Sequence, residues 1–314
     1  MLKRWASCVW RPKNRHGRAT TYLPMEVIIE IALIFGLSSQ RSYRTLSLVC
    51  KPLRAIAERE CLPHLPIRLE STSAILAFHR LLMHRPIVAS RVRHLWVRGA
   101  PSRRYKHHGG FSKPTAGTWR HFKTTAFEQL GIIHKCTNLI SLACSFPFLF
   151  VCLRFAKNIF GNHQQLTELT LLENWDLWPC FENAWVEPDE THLFHQLTHL
   201  TLLDSVAPQF PVAMFPALQR FSAQVCPYSR HYALRSYETG SPVDPSSFPS
   251  LPHFPDQVHI ILHLAHTSRP GNLKPAAESD PEKRTRVIAA VDAQQHFSWW
   301  RQRAGGGDGV WSAV

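Results

Sequence analysis

Leu166-Thr167-Glu168-Leu169-Thr170-Leu171-Leu172 returns 31 residues later as Leu197-Thr198-His199-Leu200-Thr201-Leu202-Leu203, and the shared phrase is Leu-Thr-x-Leu-Thr-Leu-Leu. Shorter echoes flank the pair: Leu139-Ile140-Ser141-Leu142 begins 27 residues before the first copy, and Leu218-Gln219-Arg220-Phe221 begins 21 residues after the second. Apolar and polar residues alternate within each phrase, which predicts short strands. Recurrence at intervals of roughly 20–30 residues predicts repeating units, each contributing one strand whose leucines are buried between neighbours.

The same pattern extends outward. Ile67-Arg68-Leu69 reads as a short strand, and Val92-Arg93-His94-Leu95-Trp96-Val97 as a half-buried one. Between them a helix capped by Ser73 carries Ile75, Leu76, Phe78, Leu81 and Leu82 on one face and is closed by Pro86. Val258 to Leu264 predicts another strand, and Arg286 to Ala293 a further strand or short helix. Trp299 and Trp300 are placed to pin the end of the chain to the core. Residues 304–314 read as a flexible tail. The repeat-like region thus spans 65–303, with a proline-rich linker or wrapping segment at 240–256.

Two insertions interrupt it. Residues 100–121 carry Arg103, Arg104, Lys106, His107 and His108 beside Tyr105, Phe111 and Trp119, and are expected to form a mobile, solvated basic loop. Residues 173–192 interleave Trp175, Trp178, Phe181 and Trp185 with Glu187, Asp189 and Glu190. Aromatic anchors rimmed by carboxylates suit a basic client segment. Trp175, Trp178, Trp185, Glu187, Asp189 and Glu190 are therefore candidate client-binding residues.

The amino-terminal part is organised differently. Residues 1–20 form a basic arm expected to be disordered. From 21 to 64 the spacing predicts three short helices. Pro24 and Glu26 open the first, and Val27, Ile28, Ile31, Ile34 and Phe35 form an apolar face that ends at Gly36. Ser38 is the expected cap of the second, which carries Leu46, Leu48 and Val49. A break near Lys51 starts the third at Pro52, with Leu53 and Ile56, and Pro63 stops it. Some forty residues in three short helices cannot bury every apolar face alone. A partner is expected.

The run Leu23-Pro24-Met25-Glu26-Val27-Ile28-Ile29-Glu30-Ile31, followed by Leu46-Ser47-Leu48-Val49-Cys50-Lys51-Pro52-Leu53-Arg54, resembles the F-box motif, in particular the F-box-like segment common in fungal proteins. The resemblance implies a three-helix hook that binds a Skp-type adaptor and so joins a cullin complex. Carried over by position, it assigns adaptor contact to Leu23, Pro24, Ile28, Ile31, Leu48, Val49 and Leu53. This sequence departs from the motif in having Leu53 where many members carry Trp. The downstream phrases resemble degenerate leucine-rich repeats without their Asn ladder, and repeats after an F-box select a protein client in that family layout.

Composition narrows the alternatives. The net charge is +14, yet residues 1–120 hold 22 Lys/Arg against 5 Asp/Glu, a balance of +17, and the remainder is slightly acidic. That asymmetry disfavours a uniformly basic nucleic-acid binder. Eight cysteines without a CxxC pair signal neither a disulfide framework nor a zinc ribbon. The most apolar stretch, Phe146 to Phe155, is too short to span a membrane, and no signal-peptide core follows the basic arm. A cytoplasmic or nuclear location is expected.

No HExxH, GxSxG, GxGxxG or GxxxxGK[ST] motif occurs. His259, His263 and His266 lie in a predicted strand, and His192, His195 and His199 run into another, so solvent-facing histidines are expected rather than a metal site. The expectation is therefore an α/β chain without catalytic residues, metal or cofactor: a short three-helix F-box-like module followed by an irregular leucine-rich repeat-like solenoid. It would act as a substrate-recognition adaptor of a ubiquitin ligase. The alternatives are a repeat scaffold with no ligase link and a basic nucleic-acid-associated protein.

Overall fold

Each Leu-x-x-Leu-x-Leu phrase becomes one strand, and the strands pair in the order in which the chain lays them down. The computed structural model describes residues 23–98, 116–155, 159–172, 192–205, 210–225, 253–264, 285–288 and 293–304. The chain divides into two units, residues 1–65 and 66–314.

The second unit is α/β. Its parallel sheet runs β1 (Ile67–Leu69), β2 (His94–Val97), β3 (Ser141–Cys144), β4 (Glu168–Leu171), β5 (His199–Ser205), β6 (Arg220–Val225), β7 (His259–Leu264) and β8 (Thr285–Ile288). Register carries the sequence phrases onto one another: Leu95, Leu142, Leu169, Leu200, Phe221 and Ile260 align across six strands. All six are buried. The leading residues Val92, Leu139, Leu166, Leu197 and Leu218 are also buried, two positions before each strand. Burying one such side chain stabilises by about 1.5–3 kcal/mol, which a lone strand cannot realise. Only neighbours on both sides close the column.

The turn entering the strands repeats as well. The amides of Leu166, Leu197 and Leu218 donate to the carbonyls three residues back, on His163, Phe194 and Phe215. Cys136 stands at the matching place before Leu139, and all four side chains are buried. His163 is the polar member. Its Nε2–H donates to the Ile133 carbonyl at 3.0 Å, and burial pushes its pKa down, so the ring stays neutral.

The connections between the first five strands carry helices α4 (Thr72–His84), α5 (Pro86–Ala89), α6 (Ala116–Lys135), α7 (Phe146–Phe155) and α8 (His192–Gln196), which bury Ile75, Leu82, Ile132, Leu149 and Leu193. Between β5 and β6 the described connection holds only a 3-10 turn, Val212–Met214. Phe194, Phe210, Phe215, Phe221 and Phe254 fill that space, with ring centroids 4.6–5.9 Å apart. The last helix, α9 (Ala293–Ala304), lies on the sheet face opposite the leucine column, where Trp300 packs with Trp96, Ala143 and Leu172.

The structure corrects several local expectations. Strand β2 is buried on both faces rather than half-buried, because Trp96 and His94 meet α9. Ser71, not Ser73, caps α4, accepting from the Ala74 amide at 3.2 Å. Pro86 opens α5 as well as ending α4. Residues 116–121, expected in the basic loop, belong to α6, Trp119 among them, and 100–115 lie outside the described residues. Of residues 286–293, 286–288 belong to β8 and Ala293 begins α9, and 289–292 lie outside the described residues.

The first unit comprises α1 (Met25–Ser38), α2 (Gln40–Val49) and α3 (Lys51–Ile56), the last continuing through a π-helical turn, Ala57–Cys61. Ser39 rather than Ser38 caps α2, accepting from the Ser42 amide at 3.0 Å. Pro52 sits in the first turn of α3, where its missing N–H is harmless. Pro63 falls in the 3-10 turn Leu62–His64.

Gly36 does not terminate α1. A Cβ there would lie 2.7 Å from Cys61 Sγ, so the glycine leaves the room that Cys61 occupies against the helix. The core is built from Ala32, Leu46, Ala57 and Cys61, with Leu33, Tyr43, Leu53 and Ile56 packed against it. Ala32 and Gly36 therefore face inward with Leu33 beside them, while Ile31, Ile34 and Phe35 are turned out.

Candidate functional site

Helix α1 is apolar on more than one side, so burying Ala32 and Gly36 against Cys61 must leave other apolar residues uncovered. Ile34 is 77% exposed and Ile31 54%, with Phe35 also exposed. These three share a face of α1 at steps of three and four residues. Leu48 and Val49, at the end of α2, are 68% and 65% exposed, and Leu23 ahead of α1 is 59% exposed. Large aliphatics concentrated like this on one small unit differ from the scattered exposed leucine of an ordinary surface.

The residues predicted to bind an adaptor fall into two groups. Leu23, Pro24, Ile31, Leu48 and Val49 are open to solvent. Ile28 is half-buried, and Leu53 packs on the unit's own core. The expected single face containing Val27, Ile28, Ile31, Ile34 and Phe35 is thus divided. Ile34, Phe35 and Leu37 are not among the residues predicted to bind, although all three are exposed. Their signal is present in the helix itself, whose small residues at 32 and 36 mark the opposite side as the packed one.

A second candidate lies on the sheet. The variable position of the Leu-Thr-x-Leu phrase is polar throughout, and register brings His94, Ser141, Glu168, His199, Arg220 and His259 into one row across β2–β7. Arg303 of α9 reaches this row. Its Nε donates to Glu168 Oε1 at 2.8 Å and its Nη2 to His199 Nε2 at 2.8 Å. His199 Nε2 therefore accepts, which places the ring proton on Nδ1, and that group meets Thr198 Oγ1 at 2.8 Å. Thr198 Oγ1 donates on to the Thr167 carbonyl at 3.3 Å.

Burial, followed by the positive charges of Arg303 and Arg220, lowers the His199 pKa to about 3. Burial raises that of Glu168, against the opposing pull of Arg303. His199 is thus held by its neighbours, not turned to solvent as expected, whereas His192 and His195 on α8 are exposed. His259 is exposed on β7, and His266 lies outside the described residues. A neutral imidazole locked between a guanidinium and a hydroxyl has no free lone pair for a metal or a substrate proton. Among the described residues no group of His, Cys, Asp and Glu could hold a metal ion.

The acidic-aromatic segment with Trp175, Trp178, Trp185, Glu187, Asp189 and Glu190 lies outside the described residues. No protein-family model matches the sequence, and no curated protein matches it. Among the described residues no helix is long and apolar enough to cross a membrane.

Proposed function

We propose that this protein is a non-catalytic substrate-recognition adaptor of a Skp–cullin–F-box type ubiquitin ligase. The first unit would be an F-box-like hook for a Skp-type adaptor, and the strand unit a leucine-rich repeat-like solenoid that holds a protein client. The observation that carries the reading is the set of uncovered aliphatics Leu23, Ile31, Ile34, Leu48 and Val49 on a unit whose core is already closed elsewhere. Covering each of these would contribute about 1.5–3 kcal/mol before ordering costs, enough for stable association. The chemistry would be proximity: the client is held near the transferring enzyme at raised effective concentration, and no side chain of this chain breaks a bond.

A purified Skp-type adaptor supplies the test. The full chain should bind it, and Leu48→Asp with Val49→Asp should weaken binding by about a hundredfold or more, since two apolar anchors are replaced by charges. Both positions are exposed, so the unit should keep its helical circular dichroism. Undiminished binding by the double variant would remove the assigned surface.

A further inference from the structure

We propose that the polar face of the strand sheet is a docking site for an amphipathic helix of the client, and that α9 is an intramolecular occupant that must leave for the client to bind. The proposal rests on the reading of the strand unit as the client-holding half, and not on adaptor docking by the first unit.

The face is the one opposite the leucine column. It presents an apolar half and a polar half in sequence along the strands. Trp96, Ala143 and Leu172 are buried there, with Leu203 packed beside them. Glu168 and His199 supply the polar half. Helix α9 meets both with three residues spaced three apart, Phe297, Trp300 and Arg303, which fall on one helical face. Phe297 stands edge-on to Trp96 at 5.2 Å, and Trp300 meets the same ring at 5.4 Å. The Arg68 guanidinium lies 4.1 Å over the Phe297 ring. Arg303 then pairs with Glu168 at the polar end. The seat accordingly selects a helix bearing an aromatic residue, a second aromatic three residues on, and an arginine three further.

The fit of α9 is incomplete in a way that favours exchange. Among the described residues, Trp96 Nε1 and Trp300 Nε1 are both buried without a hydrogen-bond partner. When α9 lifts, each indole N–H regains water, which offsets part of the cost of re-exposing the aromatic rings. Only residues 289–292 separate α9 from β8, so the helix remains tethered and returns readily. A client with the same three anchors and an acceptor for the Trp96 N–H would win by occupying the seat more completely.

The test uses the full chain and a fluorescent peptide of residues 293–304. Replacing Trp300→Ala and Arg303→Glu weakens the resident helix while leaving its seat intact. The peptide should bind this variant at least about tenfold more tightly than the wild-type chain, a modest share of what two hot-spot residues carry. Hydrogen exchange on the wild-type chain gives the second measurement. Amides of α9 should exchange while those of 168–171 and 199–202 stay protected. Equal peptide affinity for the two chains would overturn the proposal. So would α9 amides that exchange only together with the strands, an outcome independent of whether the variant folds. Adaptor binding measured on the same proteins keeps the readings apart, because its loss with peptide binding intact counts against the ligase link alone.

Discussion

Gly36→Ala tests the packing that decides which side of α1 is left open. The added Cβ would stand 2.7 Å from Cys61 Sγ and 3.3 Å from Cys61 Cβ. A comfortable separation is about 3.5–4.0 Å, so the methyl intrudes by roughly 1 Å. Overpacking of this kind costs about 1–3 kcal/mol. Replacing a helical glycine by alanine returns at most about 0.5–1 kcal/mol through backbone entropy, and Gly36 lies in the last turn of α1. The net expectation is a destabilisation of the first unit by about 0.5–2 kcal/mol. Cys61 is buried in the same core, so Cys61→Ala alone should also destabilise, by leaving a small void. In the double variant the two defects cancel, because the new methyl fills the space the sulfur left. Coupling of about 1–2 kcal/mol, favourable in sign, should therefore appear in a double-mutant cycle. Native-state hydrogen exchange of amides 29–36 in the full chain reads it, with each 1.4 kcal/mol giving about a tenfold change in opening. Additivity within about 0.5 kcal/mol would refute the claim that Gly36 is required by close approach to Cys61.

Two further outcomes follow from the strand unit and the thiols. The folded His199 pKa of about 3 lies below the ordinary value near 6.5, so the unfolded chain binds that proton first as pH falls. Its contribution to stability is complete above about pH 6.5 and is lost between there and about pH 3. Glu168 is raised and works in the opposite sense, losing its contribution as pH rises above the ordinary carboxylate range. The change in urea midpoint from pH 7 to pH 5 should therefore lie further toward destabilisation in the wild type than in His199→Gln, in which the opposing effect of Glu168 is retained, and equal signed changes would contradict the buried neutral ring. Burial pushes the Cys61 thiol up to about 11 and Cys136 to about 12, and drives Cys144 and Cys152 well above the ordinary thiol value. Of the eight cysteines, no more than four should react with a thiol-specific dye at pH 8 before denaturant is added, and more than four would show that these sites open readily.

The strand positions were legible because they depend on a period of two and on local turn chemistry. Leu142, Leu169, Leu200 and Phe221 reach their places through register alone, and any chain with that spacing must bury them together. The helices at 25–38, 40–49 and 72–84 were legible from steps of three and four residues, although two of their caps fell one or two residues from expectation, at Ser39 and Ser71. Neighbouring serines offer equivalent hydroxyls, and the backbone conformation at the boundary chooses between them. What stayed hidden was long-range. The sequence of α1 is apolar almost all round, so periodicity could not say that Ala32 and Gly36 would face Cys61 and leave Ile31 and Ile34 outside. Nor could it join Arg303 to Glu168, 135 residues apart, or lay Trp300 over Trp96. Contacts between distant segments depend on which surfaces remain once local elements have formed, and that is a property of shape, not of spacing.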